Sequence, residues 1–369
     1  MHNFDLLKRI CETPGVSGFE RRIRNLVLQE VRELADEVRI DNMGNVIALK
    51  RGRERKRVMV AAHMDEIGFI VNHVDDNGFI RFLPLGGFDP KTLTAQRVIV
   101  HGRRDALGVM GCKPIHIMKQ DERNKVVPLN DYFVDLGLPK EEVDKLVSVG
   151  DPISRERELI EVGNCVSGKS LDNRVSVFIL LETLRNFRER ELPYDLYATF
   201  TVQEEVGLRG AMGSVGEVDP DFAFGLDVTI AYDVPGSSAR ENVTTLGGGA
   251  AIKILDGSVI SDYRMVNYLK EVAAADGLTP QLELLPAGGT DTAALQRYGK
   301  RGSIAGAISI PLRNMHQVTE MASQQDIADC ITLLTSGLAK LDTYDWSFTA
   351  PHGADDGHPD RQQDDFDWM

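Results

Sequence analysis

The sequence predicts an α/β fold, a doubly wound mostly parallel sheet carrying an inserted small β-barrel-like domain. Three observations lead there. Helical and extended patterns alternate over residues 161–342 and in the first 67, as they do where crossover helices join parallel strands. Between the two, residues 68–160 change to short β-rich pieces broken by Gly, Pro and Asp. Several apolar runs also end in His, Asp or Glu, and an open parallel sheet places its ligand crevice outside the carboxyl ends of its strands.

Residues 4–10 and 19–38 carry helical spacing around the turn signal Thr13-Pro14-Gly15-Val16-Ser17-Gly18. The run 58–62 is continuously apolar, the form of a strand buried on both faces, and it ends in His63-Met64-Asp65. Inside the insert, residues 78–85, 96–101 and 106–110 read as strands and 139–147 as a helix. After Gly168-Lys169-Ser170, residues 171–187 form a strongly apolar helix, and strands follow at 196–202, 222–226, 250–255 and 304–310. From residue 343 to 369 the chain is an acidic, turn-rich tail, expected to be disordered or docked on a neighbour.

The balance of 42 basic against 56 acidic residues gives a net charge of −14, which argues against nucleic-acid and anionic-membrane partners. The one basic run, 50–57, reads as the solvated lead-in to a strand. No stretch approaches the roughly 18 apolar residues of a membrane span, and residues 1–12 lack an apolar leader core, so a cytoplasmic protein is expected. Four scattered cysteines, without paired spacing, read as reduced thiols.

The polar residues that follow the apolar runs are the informative ones. They are His63 with Asp65, the adjacent pair Glu204-Glu205, Asp227, and His316; Asp172 joins them at the start of the apolar helix, near the positive end of its dipole. Taken singly, each has an ordinary explanation as a turn or loop residue. Together, imidazoles and carboxylates suit two divalent ions such as Zn²⁺, Co²⁺ or Mn²⁺, because a carboxylate can bridge ions about 3.5–4 Å apart. Adjacent carboxylates that end a buried strand repel each other unless a cation or proton intervenes. Asp65, so close to a ligand-type histidine, has the position of a residue that fixes a histidine tautomer from behind. Gly288-Gly289-Thr290-Asp291-Thr292, taken alone, is ordinary turn chemistry.

Four ordered motifs carry a family resemblance: Ala62 to Gly68, Gly168 to Arg174, Thr201 to Ala211, and Gly225-Leu226-Asp227. Together the chain resembles the tetrahedral (TET) M42 aminopeptidases, and about a hundred residues lie between His63 and Asp172, as that family's insertion requires. The resemblance implies a zinc-peptidase-like sheet and a metal-dependent aminopeptidase acting on peptides with a free N-terminus. It implies that Asp172 bridges both ions, with His63 and Asp227 on one and Glu205 and His316 on the other. Glu204 would be the general base for a water held between the ions, with Zn²⁺ the first choice of metal, and Gly288 to Thr292 resembles the family's glycine-rich turn near the site, which would make Asp291 a site-lining residue. Dimers, built partly through the inserted domain, would assemble into a dodecamer. The chain departs from the family around the last ligand, which reads Asn314-Met315-His316-Gln317, and in Gly247-Gly248-Gly249-Ala250, which lacks an expected proline. An M20-like deacylase or carboxypeptidase, or a non-catalytic binding protein on the same fold, are the alternatives.

Overall fold

In the computed structural model, residues 3–348 are described. The strand Glu54–His63 sits near the middle of an 11-stranded sheet because its run from Val58 to Ala62 is fully buried, with apolar layers on both faces. Its neighbours Tyr194–Thr201 and Phe222–Ile230 run parallel to it, and Ile304–Arg313 runs parallel to the latter. Parallel pairing holds at this centre and again between Ala251–Leu255 and Gln281–Leu284. The flanks are antiparallel: Glu37–Ile40 and Val46–Lys50 on one side, Glu320–Ser323, Cys165–Gly168 and Ile160–Val162 on the other. Ala251–Leu255 and Gln281–Leu284 branch from Ile304–Arg313.

The apolar helix Leu171–Asn186 is buried on nearly every side, which suits a sequence without a polar stripe. It lies against Glu54–His63 and Phe222–Ile230 and is covered by the helices Phe4–Glu12 and Gln324–Ala339. The predicted helix over 19–38 is shorter in the structure. It ends at Val31, and Val38 instead belongs to the strand Glu37–Ile40, paired with Ala48. The hairpin wins because Asp41 Oδ1 accepts hydrogen bonds from the backbone N–H groups of Met43, Gly44 and Asn45, and Gly44 takes a φ of 101°.

The inserted β-rich stretch closes into a six-stranded barrel, in the order Gly68–Val74, Ile80–Leu85, Phe133–Asp135, Asp105–Gly111, Arg97–His101 and Pro152–Arg155. Asp105–Gly111 alternates exposed and buried residues along its length, the period-2 pattern of a barrel wall. Phe69, Phe82, Val98, Val134 and Ile153 fill the interior. The expected helix over 139–147 is present as Lys140–Leu146.

The basic run is divided among separate carboxylates, Arg53 with Asp342, Arg55 with Asp195 and Arg57 with Asp219. No helix among the described residues is long and apolar enough to cross a membrane. Of the predicted acidic tail, residues 349–369 lie outside the described residues. Its first part is docked: Tyr344 and Trp346 pack on the main core, Trp346 with ring centroids 4.8 Å from Phe222 and 5.0 Å from Tyr268.

Candidate metal centre

The carboxyl ends of the central parallel strands deliver the polar residues to one cleft. His63 is the last residue of its strand, level with Thr201 of the neighbouring strand, so the turn after Thr201 carries Glu204 and Glu205 to its side. That turn is tight: Gln203 has a φ of 54°, and the backbone N–H groups of Gly207 and Leu208 both donate to Glu204 O. Asp227 lies within Phe222–Ile230, one residue past Leu226, which pairs with Ala62. Asp172 and Asn173 depart from helical φ/ψ, and Asn173 Nδ2 is tied to Leu226 O at 2.8 Å. His316 follows the strand Ile304–Arg313.

These residues meet around Asp172. Its Oδ1 lies 3.3 Å from His63 Nε2, and its Oδ2 lies 3.2 Å from His316 Nε2. Asp227 Oδ1 is 3.8 Å from His63 Nε2, and Glu205 Oε2 is 3.4 Å from His316 Nε2. Two trios, His63 with Asp172 and Asp227, and Asp172 with Glu205 and His316, each bring their ligand-type atoms within 4.8 Å of one another. His63, Glu204 and Glu205 form a third such trio. All six line a cavity of about 380 Å³ together with Lys253, Gly288 and Gly289. A larger cavity, about 680 Å³, opens beside Glu20 and Gln203 but holds none of the six, so donor chemistry rather than size marks the site.

The charge balance of this cleft calls for cations. Burial, with Asp172 close by, pushes Glu205 up to about 8, and burial pushes Asp227 to about 8 against the partial relief of His63. Glu204 is driven well above the usual carboxylate range, first by burial. For Asp172, burial is outweighed by hydrogen bonds to His316 and His63, which hold its pKa low. For His316, burial is outweighed by Asp172 and Glu205, which raise it to about 10, and His63 is raised in the same way. Protons thus collect where positive charge is wanted, a role divalent ions fill better. Glu205 Oε1 is also buried without a hydrogen-bond partner, an unspent acceptor that a cation would satisfy. The donor set therefore fits two divalent ions.

Asp65 is behind the cleft, fully buried. Its backbone O is 3.2 Å from His63 Nδ1, while its carboxylate accepts from Ser17 Oγ and from the backbone N–H groups of Glu204 and Glu205. One residue therefore orders the strand end of His63 through its backbone and the glutamate pair through its carboxylate. Asp291, read from sequence as lining the site, lies beneath its wall at 3% exposure, with Oδ2 bonded to Thr201 Oγ1. Its charge still reaches the cleft and adds to the upward push on Glu204 and Asp227.

Sequence reasoning missed Glu320. It is fully buried on a short flanking strand, where Oε2 accepts from Asp172 N at 3.1 Å and Oε1 from His316 N at 2.9 Å. Nothing in its local pattern, Glu-Met-Ala-Ser, distinguishes it from an exposed strand residue.

The M42 glutamyl aminopeptidase family model matches residues 44–333. The lysyl aminopeptidase of Pyrococcus furiosus is 34% identical, over 94% of this chain and all of that protein. Aminopeptidase APDkam598 of Desulfurococcus kamchatkensis superposes with a TM-score of 0.87 at 37% identity, covering 91% of this chain and 94% of that one. The Pyrococcus horikoshii TET1 peptidase, which can assemble into a tetrahedron or a large octahedral shell, superposes at 0.82 with 30% identity, covering 91% and 98%. With the four motifs gathered around one acidic cleft, these matches make the chain a member of the M42 glutamyl aminopeptidase family.

Proposed function

We propose that this protein is a metal-dependent aminopeptidase that hydrolyses N-terminal residues from peptides, with two divalent ions in the cleft around Asp172. The observation that carries the reading is that Asp172 presents one oxygen to each of two histidines. His63 and Asp227 would complete one ligand set and Glu205 and His316 the other, with Zn²⁺ the expected metal and Co²⁺ or Mn²⁺ able to replace it. When bound, the ions polarise the scissile carbonyl and acidify the attacking water. Glu204 is the carboxylate left over when both sets that share Asp172 are filled. Its Oε2, 3.7 Å from His63 Nε2, faces the space between them, where it would take a proton from the water and pass it to the leaving amine. Asp65 holds the backbone of Glu204 and Glu205, so base and ligand keep a fixed separation.

The P. horikoshii TET1 peptidase, which can assemble into a tetrahedron or a large octahedral shell, and the solved PhTET1-12s dodecamer support a homo-oligomer for this chain, with dimers building a dodecamer as the expected form. The dispersed cysteines, free in the structure, support a reducing cytoplasmic location.

A pair of measurements tests the activity. Chelation should abolish turnover of a peptide with a free N-terminus, and Zn²⁺, Co²⁺ or Mn²⁺ should restore it. Glu204→Gln should keep its metal content and lose about 10²–10⁴ in kcat, the range for a general base. Preference for N-acetylated peptides, or near-normal kcat in the glutamine variant, would overturn the reading.

A further inference from the structure

His316, unlike His63 and Asp227, belongs to no strand. It lies in the turn between Ile304–Arg313 and Glu320–Ser323, and its φ of 63° is a left-handed conformation unfavourable to a side chain of this kind. Its side chain is one-third exposed, against 1% for His63. The ring direction must therefore be set from outside the turn.

Three contacts set it. His316 Nδ1 lies 3.0 Å from Gly87 O, its backbone N–H donates to Glu320, and its backbone carbonyl accepts from Arg155 Nη1 at 2.9 Å. A carbonyl facing Nδ1 selects the tautomer with the proton there, which leaves the lone pair on Nε2 for coordination. Two of the three contacts come from the inserted barrel. Gly87 lies just beyond the strand Ile80–Leu85, and Arg155 ends Pro152–Arg155. Arg155 is 1% exposed, and its guanidinium lies 5.7 Å from the centre of the Phe88 ring. Phe88 in turn stacks on Phe69 of the barrel core at 4.4 Å. The same guanidinium therefore grips the residue after Gly87 and the carbonyl of His316.

We propose that Arg155 is a positioning residue for His316: reaching out of the barrel, it fixes the ring so that Nε2 points between Asp172 and Glu205. This rests on the reading of His316 as a metal ligand. The barrel then completes one of the two ion sites. The histidine of the other set does not depend on the barrel, because His63 Nδ1 is held by Asp65, which belongs to the sheet side.

That asymmetry is what the test reads. Zn²⁺ and Co²⁺ are titrated into metal-free wild type, Arg155→Met, Arg155→Lys and His316→Ala, with calorimetry for affinity and Co²⁺ absorption for geometry. Arg155→Met should bind one ion as wild type does and the second about 10- to 100-fold more weakly, the usual range for a partner behind a ligand. Arg155→Lys, which keeps the charge but not the planar contact with Phe88, should fall between. Wild-type binding of both ions by folded Arg155→Met overturns the proposal, and so does equal weakening of both, which would mark general loosening. If the methionine variant does not fold, the lysine variant decides by the same criteria. His316→Ala separates the two levels. Should it keep both ions, the ligand reading fails; should it lose one while Arg155→Met keeps both, only the positioning role fails.

Discussion

At the scale of single residues, a buried charge cluster close to the cleft has a structural role of its own. Glu66 is fully buried, with Oε2 2.7 Å from Lys169 Nζ and Oε1 accepting from Gly15 N at 3.0 Å and lying 3.6 Å from Arg174. Burial would raise its pKa, but Lys169 and Arg174 outweigh it and hold it at about 2. Lys169 moves down as well, because its burial exceeds the pull of Glu66. The two directions differ in what they say about pair strength, and the carboxylate is the better gauge, since it has cations on both oxygens. Its folded pKa lies below the ordinary 4.5, so the stabilisation is complete above about pH 4.5 and lost as pH falls toward 2. A shift of that size corresponds to about 3 kcal/mol. Glu66→Gln, compared with wild type in metal-free form by urea denaturation, should be destabilised by about 3–5 kcal/mol at pH 7, because two buried cations lose their counter-charge. The gap should narrow below pH 4.5. A gap constant from pH 7 to pH 3 would sink this account.

At the scale of elements, the site depends on how closely the helix Asp291–Arg297 approaches the strand that carries Asp227. Gly225 makes the approach possible: a Cβ there would lie 1.9 Å from Thr292 Oγ1 and 3.0 Å from Thr292 Cβ. The glycine of Gly225-Leu226-Asp227 was legible as part of a motif, but its reason was not, since Thr292 is 67 positions away. Gly225→Ala should cost about 1–3 kcal/mol by overpacking. Adding Thr292→Ala, which removes the closest atom, should restore part of the lost thermal stability. No recovery in the double variant would place the cost elsewhere. The short helix over residues 21–31 teaches a related lesson. Helical spacing continued to Val38 in the sequence, but the pairing of Val38 with Ala48 across the Asp41 turn overrode it.

At the scale of the whole molecule, the sheet that gathers the cleft residues and the barrel inserted between His63 and Asp172 meet at His316. The family match includes a solved relative that can assemble into a tetrahedron or a large octahedral shell and another solved as a dodecamer, and sedimentation of the purified protein should show a species larger than a dimer, consistent with twelve chains. A stable monomer would remove the assembly from this protein's properties. The sequence by itself picked out the polar residues that the structure gathers in one cleft, because buried parallel strands are continuously apolar and their polar ends stand out: His63, Glu204, Glu205, Asp227 and His316 follow such runs, and Asp172 stands at its helix start. It also marked the barrel, through the change from helical spacing to short Gly- and Pro-broken strands. Only the tertiary structure decided that Asp172 stands between the two histidines, that Asp291 lies behind the wall, and that Glu320, Gly87 and Arg155 all contact His316. Those are contacts between side chains and backbone groups brought together from distant positions. Periodicity reports which face of an element is buried, whereas what that face meets is set by packing across the whole chain.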